Sequence, residues 1–241
     1  MRKTIFTVLA AGALAHAAPV AADTLRYEGA WYGAYYGSYN IRDTAPTALS
    51  MNVSAGGFRM TDTSGPTLAA GTSFMAWCVD IYHLLNTGSS GSSYALQTGS
   101  QFFGAGSSVI GRLERLASYV VDNDGSAATT TLQSALTGSI QSAAFQLAVW
   151  EIVNEGGSSG LNVSNGDFYV TGATTTVANL ANGWLTNSAG WASTQVLSVW
   201  SGPNSTQDLA VFAPIPEPET YAMLLAGLGL MGFIARRRRA T

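Results

Sequence analysis

Between Leu25 and about Phe74, apolar and polar positions alternate in short stretches cut by glycine. "LRYEGAWYGAYYGSYNI" sets aromatics among Gly and Ser, and "ALSMNVSAGGFRMTDT" repeats the alternation around a Gly-Gly break. Side chains on a strand point to opposite faces in turn, so a period of two, rich in aromatic and β-branched residues, predicts strands joined by turns. "SFMAWCVDIYHLL" is apolar nearly throughout and reads as a largely buried strand, ended by the loop "NTGSSGSS". The period then changes. Ser107 to Val121 and Thr130 to Glu155 carry apolar residues at helical spacing, with Ser107 or Ser108 as a cap for the first. After Gly156-Gly157 the pattern predicts a strand at "DFYVTG", a short helix at "TTTVANLANGWL" and a last strand pair near "TQVLSVW" and "DLAVFAP". The predicted class is α+β, with β-rich N- and C-terminal parts and a central helical segment.

The two ends follow other rules. Arg2 and Lys3 precede an apolar run to about Leu14, and small residues offer cleavage after Ala17 or, from the Val20-Ala21-Ala22 pattern, after Ala22. Residues 1–22 are therefore expected to be a signal peptide and the chain to be exported. At the other end Pro216, Glu217 and Pro218 precede an apolar stretch from Thr220 to Ala235, followed by Arg236, Arg237, Arg238 and Arg239. The stretch is slightly short for a transmembrane helix, but flanking arginines can snorkel, and a positive cluster stays on the cytoplasmic side. An ordinary C-terminal anchor is one reading. In its three parts and their order, however, this tail resembles the PEP-CTERM sorting signal of Gram-negative bacteria that make exopolysaccharide. That resemblance implies Pro216, Glu217 and Pro218 as the recognition element, the arginines as the membrane stop, and processing by a membrane-embedded exosortase. It also implies passage through the inner membrane before delivery to the cell surface or extracellular matrix. The expected organisation is a signal peptide at 1–22, an extracellular domain at 23–213 and a sorting signal at 214–241.

The core left between these signals, roughly 190 residues, is long enough for one domain with a sizeable interior. Only 10% of the chain is charged, and the core cations are Arg26, Arg42, Arg59, Arg112 and Arg115, outnumbered by Asp and Glu. A mildly acidic domain is a poor partner for nucleic acid. With one cysteine and one histidine in the core, and aspartates at no calcium-loop spacing, no metal or cofactor is expected. The core also lacks lysine, since Lys3 lies in the signal peptide. Such a chain cannot quench an acylating group through its own ε-amines.

One residue breaks the apolar pattern of the second helix. Gln146 sits in "AFQLAVWEIV", sharing a face with Ala143, Val149, Trp150 and Val153, so neither side of the helix is solvated. Burying an amide without partners costs about 1–3 kcal/mol, so Gln146 is either well hydrogen-bonded or chemically used. Cys78, the single cysteine, raises a parallel question. It lies too far from the cleavage site for lipid attachment, which leaves an intermolecular disulfide, a reactive thiol, or a small buried hydrophobe in a core strand.

Taken together, "WCVD" and "FQLAVW" resemble the thioester domains of bacterial surface adhesins, in which an aromatic-Cys-apolar-acid element pairs with a T-Q-x-A-I-W-like element. The matching positions are Trp77, Cys78, Val79 and Asp80, then Phe145, Gln146, Leu147, Ala148, Val149 and Trp150, with Phe145 where the family carries threonine. The resemblance implies that the Cys78 thiolate attacks the Gln146 amide, ammonia leaves, and an internal thioester remains for an amine or hydroxyl of a partner to open. Sulfur is the strong nucleophile, backbone N–H groups would hold the oxyanion, and Trp77, Trp150, Phe145 and Phe74 are candidates for an apolar shield against water. One bond per thioester makes this attachment and not turnover, so no enzyme is implied.

Two rival readings remain. His83 follows Cys78 by five positions, which on a strand puts it on the opposite face, so a Cys–His hydrolase requires the strand to break. A non-covalent reading makes the core a matrix domain that binds exopolysaccharide in a biofilm through exposed aromatics such as Trp31, Tyr32, Tyr35 and Tyr36, with Cys78 structural.

Overall fold

In the computed structural model the described residues are 22–32, 35, 37–124, 131–156, 160–203 and 205–215, with 226, 228 and 231. The expected signal peptide, except Ala22, and nearly all of the sorting tail lie outside them. Strands β1 (Ala22–Ala30), β2 (Tyr39–Asp43), β3 (Leu49–Val53), β4 (Phe58–Asp62), β5 (Ser73–Cys78) and β6 (Ser92–Thr98) come first. Helices α1 (Gly99–Phe103), α2 (Ser108–Asp124), α3 (Leu132–Ala135) and α4 (Ser139–Asn154) follow. The chain closes with β7 (Phe168–Thr171), α5 (Thr175–Asn187), β8 (Gln195–Ser201) and β9 (Leu209–Pro214). The molecule is thus mixed helix and strand, strand-rich at both ends.

The strands form a closed barrel in the order β1-β4-β5-β9-β8-β6 and a separate sheet in the order β3-β2-β7. Both sheets join the two β-rich parts of the chain: β8 and β9 sit between β5 and β6, and β7 pairs with β2. The alternation read from the sequence supplies the faces. In β2, Tyr39, Ile41 and Asp43 are buried while Arg42 is exposed, and in β4 Phe58, Met60 and Asp62 are buried while Arg59 is exposed.

The long helical run of the sequence is divided at Leu136–Gly138. Thr131 caps α3 by accepting from the Ser134 N–H, and Gly138 is the N-cap of α4. Helix α4 is apolar on every side and is buried from Ser142 to Ile152, packed among α2, α5, β5 and β7. Gly56 and Gly57 let the β3–β4 connection run against it. Gly56 has φ +148°, a Cβ on Gly57 would stand 3.0 Å from Met75, and the Gly57 N–H donates to Ser142 Oγ at 2.8 Å.

The strand expected through "SFMAWCVDIYHLL" stops at Cys78. The Asp80 carboxylate accepts the Tyr82 N–H at 2.8 Å, an Asx-type turn that bends the chain away from the sheet. Ile81 turns inward while Tyr82 and Leu84 face solvent, which is why an apolar run there does not mark a strand.

Candidate functional site

The end of β5 and the middle of α4 meet at Cys78 and Gln146. Both are essentially without solvent exposure, at 0% and 1%. Gln146 Oε1 accepts the Cys78 backbone N–H at 3.0 Å, and Gln146 Nε2 donates to the Cys78 carbonyl at 2.8 Å. The amide expected to need partners therefore has both, supplied by the one cysteine of the chain. The Cys78 thiol donates to the Asp80 carbonyl at 3.0 Å.

The electrostatics hold that thiol protonated. Burial pushes its pKa well up, and the nearby carboxylates of Asp80 and Asp208 push the same way. The Trp150 indole N–H and the hydrogen bond to the Asp80 carbonyl oppose them with smaller effect. Trp150 Nε1 nevertheless makes no hydrogen bond among the described residues, so it lies near the sulfur without bonding to it. Tyr35 and Tyr94 are also near enough for the sulfur to contribute to the upward shift of their hydroxyl pKa values, of which burial is the largest cause.

The remaining expected site residues divide between two faces. Trp77 precedes Cys78 on β5 and points to the opposite side, where its ring lies 4.7 Å from that of Phe145. Phe145 also meets Trp184 and Phe212, so the residue standing where the thioester family carries threonine fills an aromatic cluster behind the strand. Phe74 stacks on Trp200 at 5.9 Å, farther along β5. Asp80 and Trp150 are the two that reach the sulfur side. His83 turns away from Cys78 although the strand breaks as a Cys–His pair would require; its Nδ1 lies 2.5 Å from Asp80 Oδ2. Of the aromatic run, Trp31, Tyr32 and Tyr35 pack partly buried on the core, and Tyr36 lies outside the described residues.

One participant had no sequence signal. Gln207, in the turn before β9, donates from Nε2 to the carbonyls of Asp80 at 3.2 Å and His83 at 3.3 Å, which places its amide one carbonyl away from the Cys78 sulfur. Asp208 beside it accepts the Gly202 N–H, and burial raises its pKa.

The barrel strand β9, whose Leu209 pairs with Cys78, ends at Pro214, where the tail begins. Residues 214–239 match the PEP-CTERM protein-sorting motif. The match spans the Pro216-Glu217-Pro218 element, the apolar stretch and the arginine cluster. A PEP-CTERM motif implies an exported protein of the cell surface, processed by an exosortase. Nearly all of the stretch expected to enter the membrane, Thr220 to Ala235, falls outside the described residues, among which no helix is long and apolar enough to cross a membrane. No curated protein matches the sequence. Among solved structures, the fold is similar to the N-terminal thioester domain of a surface protein from Clostridium perfringens, at 14% identity and a TM-score of 0.42, covering 73% of this chain and 100% of that one. A cysteine-to-alanine mutant of that domain matches at 12% identity and a TM-score of 0.42, covering 73% and 99%.

Proposed function

We propose that Cys78 and Gln146 form an internal thioester, and that an amine or hydroxyl on a partner surface opens it to leave the protein covalently attached. The observation that carries this reading is the double hydrogen bond holding the Gln146 amide on the backbone of the only cysteine, inside a buried site. In forming the bond, sulfur adds to Gln146 Cδ, the Cδ–Nε2 bond breaks, and the thiol proton leaves with nitrogen as ammonia. The Cys78 N–H at 3.0 Å from Oε1 is aimed where negative charge grows during that addition. Burial serves the product, because a thioester kept from water is not hydrolysed before its target arrives. The PEP-CTERM tail brings the domain to the surface where such a target lies, and each molecule is consumed by the one bond it makes.

The test is the intact mass of the purified protein before and after methylamine. The expected mass is one ammonia below that of the sequence, rising by one methylamine as a free thiol appears at Cys78. A mass equal to the sequence and indifferent to methylamine would overturn the covalent reading and leave a surface-sorted domain with a structural cysteine. Replacing Cys78 with serine is expected to abolish attachment to cells or matrix.

A further inference from the structure

A cleft of about 240 Å³ is walled by Tyr27, Tyr35, Phe58 and Leu85, and two residues beside Cys78, Trp150 and Gln207, are among its lining. None of its lining side chains is charged. Two buried polar atoms of those residues lack a hydrogen bond among the described residues: the donor Trp150 Nε1 and the acceptor Gln207 Oε1. Buried polar groups in folded proteins are almost always paired, because an orphan costs about 1–3 kcal/mol. A buried donor and a buried acceptor without partners among the described residues, on two residues that line one cleft near one sulfur, are complementary to a group that arrives later. The orientation of Gln207 is fixed by the donations of Nε2 to the Asp80 and His83 carbonyls, which leave the oxygen as the free end.

Resting on the thioester reading, we propose that Gln207 Oε1 and Trp150 Nε1 are the positioning groups for the partner's attack. Gln207 Oε1 accepts a hydrogen from the entering amine or hydroxyl and so turns its lone pair toward Gln146 Cδ. The new bond forms at Cδ, the Cδ–Sγ bond breaks, and the hydrogen lost by the nucleophile ends on Sγ. The Trp150 N–H donates to the sulfur while charge collects on it, before that proton arrives. An uncharged, mostly apolar cleft admits the nucleophile in its neutral form, an amine as free base or an alcohol, and disfavours an ammonium ion.

The experiment follows the methylamine reaction of Trp150→Phe and Gln207→Leu by intact mass, after confirming the ammonia loss in each. Gln207→Leu is expected to raise the methylamine concentration for half-maximal rate several-fold with little change in the limiting rate. Trp150→Phe is expected to lower the limiting rate about ten-fold or more, as loss of one donor to a developing charge does. Trp150→His, which restores a ring N–H, regains part of that rate. After the reaction, the released Cys78 thiol is expected to titrate higher in Trp150→Phe than in the wild type. Glycerol in place of methylamine separates the two sources of nucleophile, and the same dependence on Gln207 is expected for whichever reacts. Wild-type kinetics in both variants would overturn this inference and leave the thioester standing, whereas no ammonia loss in the wild type would overturn the thioester itself.

Discussion

Helix α4 buries Gln146 and Glu151 little more than a turn apart, and the two are treated differently. Gln146 has its oxygen and its nitrogen paired with the backbone N–H and C=O of one residue, Cys78. Glu151 is fully buried; one oxygen accepts the Asn162 N–H at 2.6 Å and the other has no partner among the described residues. Burial, with Glu155 adding to it, raises the Glu151 pKa to about 8. Glu151 and Glu155 tie down the loop that leads into β7, since Glu155 accepts the Asp167 N–H at 2.8 Å. The neutral amide sits at little cost where the carboxylate is penalised, because desolvating a charge costs far more than desolvating a paired dipole. The structural anchor is therefore the strained member, and the candidate reactive group is the relaxed one.

Three substitutions probe that contrast. Gln146→Ala, made in a Cys78→Ala background so that no thioester intervenes, strands the backbone N–H and C=O of residue 78 and opens a cavity. It is expected to cost about 2–4 kcal/mol, measured by urea denaturation. Glu151→Gln should act in the opposite sense at alkaline pH. The folded state holds the Glu151 proton up to about 8 while the unfolded chain releases it near the ordinary glutamate value of 4.5. Its stabilising contribution is thus complete below about 4.5 and lost as pH rises through 8. At pH 8.5 the glutamine variant is expected to be more stable by about 1–2 kcal/mol, and equal stability across that window would show the carboxyl to be solvated. Ser142→Ala, one turn before Gln146, removes the acceptor of the Gly57 N–H and should lower stability by about 1–2 kcal/mol with no dependence on pH.

Much of the site is legible in the sequence because a helix apolar on all sides makes any polar residue conspicuous, and a single cysteine has no disulfide partner within its own chain. The C-terminal end of α4 and the pairing of β8 with β9 follow from local periodicity, whereas the break at Leu136–Gly138 does not. What local pattern does not contain is the closure of the barrel, which brings β9 against β5 from the far end of the chain. Gln207 belongs to that class: its importance comes from two carbonyls more than a hundred positions away. The overlong strand after Cys78 has a different cause. Asp80 spends its carboxylate on a turn, and one side chain-to-backbone bond there overrides an apolar run.

Cys78 and Gln146 are separated by 68 positions in the chain. A thioester between them would therefore close a loop of that size in the unfolded ensemble, and by loop entropy alone such a staple stabilises by about 4 kcal/mol. Reaction with a partner cuts the staple. The attached molecule would then be the floppier one in its unfolding equilibrium, more readily melted and digested than the molecule still waiting, so that its lifetime on the target is set by when it spent its bond.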